Sequence, residues 1–298
     1  MAIDVVITQR GIFKSPLTEA DLSPAGLRIG HWNQAGALDP GPAADGRVLC
    51  DGAQPGRGCF LRAVPGVQGS GGLRQTLPCT PKDLEVFYGL VKHICQVWSV
   101  VRFTQDGTEY RLSDIPQLKE GLLKSCAGLL TTMAERWEAD GEGVLTGAVL
   151  PLYLEPEAIA RLKGGDLAFF QSYLSQKQAG ERYYAKPSFY RHDNGVDILG
   201  LYAVTEGVES LFPVRPFVPP LYSVFLQDFH VSDEQVTEWQ VSLNRVWEED
   251  GQLTGKTLGY VPFEDFARRV GLERCPRFDA RHVVVQVDDL TKALGNEE

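Results

Sequence analysis

The order in which strand-like and helix-like segments follow one another limits the folds open to this chain more than any other feature. Short β-like runs occupy residues 1–80, two long helical patterns cover about 81–140, and strand patterns dominate again from residue 182. A doubly wound parallel sheet requires strands and helices to alternate, and here they do not. The sequence therefore predicts an α+β fold with mostly antiparallel sheets, two long helices in the first half and a β-rich second half.

The first long helix has both a start signal and an apolar face. Thr80 is a suitable N-cap, Pro81 suits the first helical position, and Asp83 places a negative charge at the positive end of the helix dipole. Large apolar residues and one cysteine then recur at helical spacing and predict a buried stripe: Leu84, Phe87, Tyr88, Val91, Ile94, Cys95 and Trp98.

A second helix is predicted from about residue 113 to Asp140, where Gly141 ends it. Between the helices, the turn signal Asp106-Gly107 joins the runs Ser99–Thr104 and Glu109–Leu112 into a hairpin. Further along, the patterns predict a strand at Val144–Tyr153, helices at Pro156–Lys163 and Asp166–Gln176, strands at Arg182–Tyr190, Val196–Val204, Tyr222–His230 and Glu238–Trp247, a helix at Phe263–Val270 and a strand at Arg281–Val287.

Composition shifts once along the chain, because residues 1–80 hold thirteen of the 31 glycines. We expect a region of β-hairpins and two helices at 1–140 and a β-rich α+β region at 141–298. One continuous domain is the alternative.

Charge excludes several classes of partner. The chain has 29 basic and 39 acidic residues, and its net charge of −10 would repel phosphate backbones and anionic membrane surfaces. The densest basic clusters, Arg268–Arg269 and Arg274/Arg277/Arg281, are interspersed with acids. The N-terminus has no basic segment followed by an apolar run, and no apolar stretch approaches the length of a membrane span. We therefore expect an acidic cytoplasmic protein with neither nucleic acid nor a membrane as partner.

The six cysteines form no Cys-x-x-Cys pair, which argues against a zinc ribbon, an iron–sulfur cluster and a thioredoxin-type motif. We expect free thiols buried in a reducing compartment. Two alternatives stay open. Cys50 and Cys59 would form a disulfide if they face each other across a hairpin, and Cys79, close to Lys82 and to a helix N-terminus, would be a reactive thiol.

Two glycine-rich segments resemble phosphate-binding loops but depart from them. Gly66–Gly72 has Arg74 where the third glycine of a dinucleotide motif belongs, and Leu73–Cys79 separates it from the helix. Gly251–Thr257 has three residues between its glycines rather than four, and the acidic run 248–250 precedes it. We expect a turn at the first segment, a hairpin loop at the second, and no cofactor at either.

Metal and catalytic motifs are also weak. Asp228 and His230 share a face of a predicted strand, and a metal site there would need a third ligand such as His192 or His282. A histidine satisfied within a half-buried sheet is the simpler interpretation, and no metal ligand is assigned. No serine lies in a Gly-x-Ser-x-Gly motif, although Ser70 comes closest, and no carboxylate pair is marked by its spacing. Catalytic residues therefore stay unknown.

The second half is rich in aromatic residues, which favour a sheet core with cross-strand pairs over a ligand groove. The segment Phe212–Pro220 contains two Pro-x-x-Pro spacings and is interpreted as a rigid connector, with a peptide ligand as the alternative. The aromatic series comprises Tyr183, Tyr184, Phe189, Tyr190, Tyr202, Phe212, Phe217, Tyr222, Phe225 and Phe229.

The segments Leu77–Tyr88 and Val91–Trp98, taken with the chain length, resemble a family of uncharacterised bacterial cytoplasmic proteins of unknown function. The resemblance implies a bacterial cytoplasmic origin and carries over no functional residue. Because the sequence shows no recognisable arrangement of catalytic residues, we expect a non-enzymatic protein. It would bind a protein or small-molecule partner through its β-rich second half. The alternative is a hydrolase or transferase whose site is assembled from residues distant in sequence.

Overall fold

The computed structural model describes residues 1–10, 14–15, 17–18, 21, 26–33, 36–39, 46–62, 69–193, 197–220, 231–249 and 251–294. Two units follow one another along the chain, Met1–Ala179 and Gly180–Glu298. The break expected after residue 140 lies inside the first unit, and separate folding of the regions 1–140 and 141–298 stays a prediction.

An eight-stranded sheet forms the first unit, and every strand pair in it is antiparallel. Its strands lie in the order β3-β2-β4-β5-β6-β1-β7-β8. They are β1 (Ala2–Thr8), β2 (Leu27–Trp32), β3 (Leu38–Asp39), β4 (Arg47–Asp51), β5 (Cys59–Leu61), β6 (Ser70–Thr76), β7 (Arg102–Gln105) and β8 (Thr108–Arg111).

The two long helices of the first unit lie where the sequence predicts them. They are α1 (Pro81–Val97) and α2 (Ile115–Asp140). Thr80 caps α1 in a capping box with Asp83, and Gly141 ends α2 in the left-handed conformation at φ 72°. The hairpin between them has its turn at Asp106-Gly107, where both residues have positive φ, as expected for its type.

The rest of the first unit contains one correction to the sequence prediction. The single strand expected at Val144–Tyr153 is a hairpin of β9 (Gly143–Thr146) and β10 (Pro151–Leu154), closed by a hydrogen bond from Gly147 N to Leu150 O of 3.1 Å. The apolar residues on both sides of Gly147 favour one strand, whereas the turn that begins at this glycine divides it into two. The helices α3 (Pro156–Leu162) and α4 (Leu167–Lys177) follow as predicted.

The second unit has two smaller sheets that each contain one parallel pair. The order β12-β13-β15-β16 makes one sheet, and β11-β14-β17 the other. The parallel pairs are β13 with β15 and β11 with β14. The strands are β11 (Tyr183–Tyr184), β12 (Ser188–Arg191), β13 (Ile198–Thr205), β14 (Ser210–Pro213), β15 (Val236–Glu249), β16 (Gln252–Pro262) and β17 (His282–Val285), and the helices are α5 (Phe263–Val270) and α6 (Thr291–Leu294).

The fold class is therefore α+β with mostly antiparallel sheets, as the sequence predicts, and the second half also contains helices, among them α5 where the sequence predicts it. Much of the aromatic series packs in the core of the second unit. Tyr202 contacts Phe212 and stacks on Trp239, while Tyr183 and Tyr190 are exposed. The predicted strand 222–230 lies outside the described residues, as do Tyr222, Phe225 and Phe229.

Candidate functional site

Two adjoining cavities of about 540 and 820 Å³ lie in the second unit. They share Val214, Arg215, Pro216 and Glu273, and we call them together the arginine groove. The other lining residues are Phe217, Asp233, Arg277, Ala280 and Arg281 in the first cavity, and Glu264, Ala267, Arg268, Gly271, Leu272 and Arg274 in the second.

One wall of the groove begins at the end of α5. Gly271 has φ 71° and ends the helix in the left-handed conformation that glycine adopts without strain. A 3₁₀ turn of residues 272–274 follows, anchored by the buried side chain of Leu272 and by a hydrogen bond from Arg274 N to Gly271 O of 2.9 Å. This local geometry turns the chain away from the helix and leaves Glu273 and Arg274 exposed in the groove.

A second wall is a tight turn held together by the buried carboxylate of Asp279. Its Oδ1 accepts hydrogen bonds from Arg281 N at 2.9 Å and His282 N at 2.7 Å, and it lies 3.0 Å from His282 Nδ1. Because a carboxylate only accepts hydrogen bonds, we assign the ring proton to Nδ1. Arg277, Ala280 and Arg281, which lie in or next to this turn, all line the first cavity.

The third wall continues from strand β14. Val214 N donates to Arg281 O at 3.0 Å, which extends the pairing of β14 with β17 by one residue. The guanidinium of Arg281 lies over the ring of Phe217, 4.6 Å from its centroid, and that ring also contacts the buried imidazole of His282. Packing against Phe217 therefore restricts the Arg281 side chain more than solvent would restrict an exposed arginine.

The groove is positively charged on an otherwise acidic chain. Five arginines and three carboxylates line it. Arg215, Arg274 and Arg277 are exposed, and no carboxylate of the described residues comes within ion-pair distance of them. Asp233 is partly engaged, since its Oδ1 accepts a hydrogen bond from Val218 N at 2.6 Å. Guanidinium groups stay protonated and present a planar fork of donors, so the groove is suited to carboxylate or phosphate groups.

A second polar cluster, buried in the first unit, surrounds Asp83. The carboxylate that completes the capping box also accepts hydrogen bonds from the backbone N–H groups of Arg57 at 3.0 Å and Gly58 at 2.9 Å. Arg57 is itself buried, and its guanidinium donates to the carbonyl oxygens of Pro78 and Thr146. This cluster joins a loop, a helix start and a hairpin that are far apart in sequence.

The described cysteines carry no disulfide, and five of the six are buried. Cys59 pairs across the ladder with Leu49, so the side chains of Cys50 and Cys59 point to opposite faces of the sheet and do not meet. Cys79 is fully buried and its Sγ lies 3.6 Å from Sγ of Cys126. A hydrogen bond to Cys126 and burial raise the pKa of Cys79, which disagrees with an activated thiol at that position.

The residues considered as metal ligands do not converge in the described structure. His282 is buried against Asp279, whereas His192 is exposed with its nearest carboxylate, that of Glu238, at 3.9 Å. Asp228 and His230 lie outside the described residues. Within the ranges that are described, no group of three or more His, Cys, Asp or Glu side chains is arranged to hold a metal ion.

Most described residues of the two glycine-rich segments belong to strands, apart from Gly69 and Gly251, which directly precede β6 and β16. Ser70, Gly71 and Gly72 lie in β6 and pair with β1, so this part of the first segment is not the turn we expected, and residues 66–68 lie outside the described chain. The second segment does lie in a hairpin, but Gly255-Lys256-Thr257 belongs to β16 and pairs with β15, so this part is strand rather than the loop we expected.

Comparison with known proteins gives a family but no function. The chain belongs to the family described as Domain of unknown function (DUF4299), whose profile matches residues 48–292. No curated protein and no solved structure matches the chain significantly. Across the described residues, no helix is long and apolar enough to cross a membrane.

Sequence reasoning recognised part of the groove without seeing its role. It singled out Arg268, Arg274, Arg277 and Arg281 as basic but interspersed with acids. It did not connect them with Arg215, which lies about 50 residues earlier in the Pro-rich connector. The available signal was the run of arginines after α5, of which Arg274 and Arg277 have no carboxylate of the described residues within ion-pair distance.

Proposed function

We propose that this protein is a binding protein whose second unit takes a small ligand with at least two anionic groups, phosphate or carboxylate, in the arginine groove. The observation that carries the proposal is the convergence of five arginines on two adjoining cavities in a chain of net charge −10. A protein that is otherwise acidic repels anions, so a local positive surplus favours selective capture of one.

The size of the cavities supports a small molecule rather than an extended polymer. Volumes of about 540 and 820 Å³ fall within the range of small-molecule sites. The ring of Phe217 and the side chains of Val214 and Pro216 supply an apolar floor, while guanidinium groups surround it. Such a mixture orients a ligand through its charged groups and shields its carbon skeleton.

The side chains of the groove favour binding over the enzymatic alternative. Its described lining contains no serine, cysteine, histidine, lysine or tyrosine. Guanidinium groups orient and stabilise anions but do not exchange protons near neutral pH. Glu264 and Glu273 are the lining carboxylates without a hydrogen bond among the described residues, and acid–base catalysis would have to use them. A bacterial cytoplasmic setting is part of this proposal, supported by the unbonded cysteines.

Calorimetric titration of the full chain with pyrophosphate and with citrate tests the proposal. We expect saturable binding of at least one of these anions, and weaker binding of monovalent acetate. Binding should weaken steeply as salt is raised, because the attraction is largely electrostatic. Replacing Arg215 and Arg277 together with glutamine should weaken it about tenfold or more, since each change removes a charged hydrogen-bond donor from the groove.

The matched control is K256Q, which removes one positive charge from an exposed strand position of the same unit outside the groove. It should leave the affinity unchanged. Failure of both anions to bind, or equal affinities for the double arginine variant and the control, would contradict the proposal. Conversion of an added phosphate ester during the titration would favour the enzyme instead.

A further inference from the structure

The first unit contains a pair of thiols whose arrangement is independent of the arginine groove. Cys79 directly precedes the cap of α1, and Cys126 lies near the middle of α2. Their sulfur atoms are 3.6 Å apart and both residues are fully buried. Formation of a disulfide requires the sulfurs to approach to about 2.05 Å, so the two sulfurs must move together by about 1.5 Å.

The surroundings make the two sulfurs unequal. The backbone N–H of Cys79 donates to Sγ of Cys126 at 3.4 Å, and the reverse contact is not made. The Cys126 sulfur therefore accepts a hydrogen bond from the backbone of Cys79, and the thiol–thiol contact, in which either sulfur can be the donor, adds to it. These bonds lower the pKa of Cys126 to about 7, with a smaller contribution from Arg57, against the raising effect of burial.

The nearby buried charges are consistent with a thiolate at Cys126. Asp83 already accepts hydrogen bonds from backbone N–H groups and from the hydroxyl of Thr80. The Arg57 guanidinium is buried, donates to carbonyl oxygens, and has no carboxylate of the described residues within ion-pair distance. A thiolate at Cys126 therefore offsets the positive charge of Arg57. Without it, that charge is balanced only by carboxylates beyond ion-pair distance.

We propose that Cys79 and Cys126 are a redox pair that forms a reversible disulfide with a hydroperoxide as the oxidant. The Cys126 thiolate attacks one oxygen of the peroxide, the O–O bond breaks, and the leaving oxygen takes up a proton to become water or an alcohol. Cys126 is then a sulfenic acid. The Cys79 sulfur attacks it, the S–O bond breaks, and the thiol proton leaves with the hydroxyl as water. Two thiols and one hydroperoxide thus give a disulfide and two molecules of water, or water and an alcohol.

Location supports this assignment. The side chain of Cys126 is itself buried, but it lies on a helix whose neighbouring residues Lys124 and Ser125 are exposed. Bond formation would covalently join the start of α1 to α2 and close a loop between residues 47 apart in sequence. A loop of this size restricts the unfolded chain strongly, and so the oxidised protein should unfold at a temperature several degrees higher.

The test treats the folded full-length protein with hydrogen peroxide at pH 8, then alkylates it in denaturant and maps the peptides without reductant. We expect a peptide pair linked through Cys79 and Cys126, loss of two of the six thiols, and recovery of both with dithiothreitol. Cys126 should react at least about tenfold faster than the buried Cys59 and Cys95, whose pKa values are raised by burial.

Two variants separate the steps. In C79S the linked peptide should vanish and a sulfenic acid at Cys126 should become trappable with dimedone, because the resolving thiol is absent. In C275S, which removes the one half-buried cysteine, the link should form as in the unaltered chain. Oxidation at Cys275 while Cys79 and Cys126 stay alkylatable, or a link between other cysteines, would overturn the proposal. The unaltered chain alone decides this if C79S does not fold.

Discussion

The carboxylate of Asp279 and the imidazole of His282 are three residues apart in sequence and 3.0 Å apart in space, and both are buried. The same carboxylate accepts the backbone N–H groups of Arg281 and His282. A single side chain therefore holds the turn that presents Arg277 and Arg281 to the groove, so stability and ligand binding are linked there.

Replacing Asp279 with alanine should lower both the free energy of unfolding and the affinity for an anionic ligand. It leaves two backbone N–H groups and a buried imidazole without their acceptor, at a cost of about 3 kcal/mol in the free energy of unfolding. Urea denaturation measures this loss. Titration of the folded variant with pyrophosphate or citrate, without urea, should show weaker binding than the unaltered chain.

The control for this change is E234Q, which removes an exposed carboxylate of the same unit that has no hydrogen bond or ion pair among the described residues. Its unfolding free energy should stay within about 0.5 kcal/mol of the unaltered chain. If D279A were as stable as E234Q, the turn would not depend on the carboxylate.

Asp83 should contribute as much to the stability of the first unit as Asp279 does to that of the second. Its carboxylate accepts backbone N–H groups of Arg57, Gly58 and Thr80 as well as the Thr80 hydroxyl. Replacing it with alanine removes a helix cap and leaves buried donors unpaired, which should lower the unfolding free energy by about 3 kcal/mol. The exposed neighbour Glu85 provides the comparison, since E85Q on the same helix should change it by less than about 0.5 kcal/mol.

Two glycines offer opposite expectations for the same substitution. A Cβ at Gly56 would lie 2.5 Å from Oδ1 of Asp83, so G56A should destabilise the protein by about 1–3 kcal/mol. A Cβ at Gly89, in the exposed face of α1, would meet nothing within 4 Å. G89A should therefore stabilise it by about 0.5–1 kcal/mol through helix propensity. Thermal or urea unfolding of both variants measures the difference, and equal effects would refute the close approach.

The Cys126 thiolate should make stability depend on pH. The pKa of this group is about 7 in the folded chain, below its ordinary value of 9.0. Between these two values the unfolded chain binds the proton that the folded chain has released, so the unfolding free energy rises with pH and the gain is lost as pH falls through 7. We expect a rise on the order of 1 kcal/mol from pH 7 to 8.5.

The variant C126S isolates this contribution. The other thiols have raised pKa values, and their contributions are present below the ordinary value and lost only at higher pH. Subtracting the pH profile of C126S from that of the unaltered chain should therefore leave the rise described above. A flat difference between pH 7 and 8.5 would show that Cys126 stays protonated.

Local signals in the sequence were sufficient for the long helices and for one hairpin turn, but not for the turn between β9 and β10. Thr80, Pro81 and Asp83 mark the start of α1, and Gly141 marks the end of α2, because capping involves only residues within one turn. The hairpin at Asp106-Gly107 follows from the positive φ that its turn type requires. The residue order also determined the α+β class, since strands that do not alternate with helices do not build a doubly wound sheet.

Only the tertiary structure decided which polar residues meet. Arg57 and Thr146 are 89 residues apart, and Cys79 and Cys126 are 47 apart, yet each pair is in contact. The order of the eight strands and the convergence of Arg215 with the arginines after α5 are equally non-local. Contacts of this kind depend on how whole elements pack their apolar faces, and periodicity within one element shows which face is buried but not what covers it.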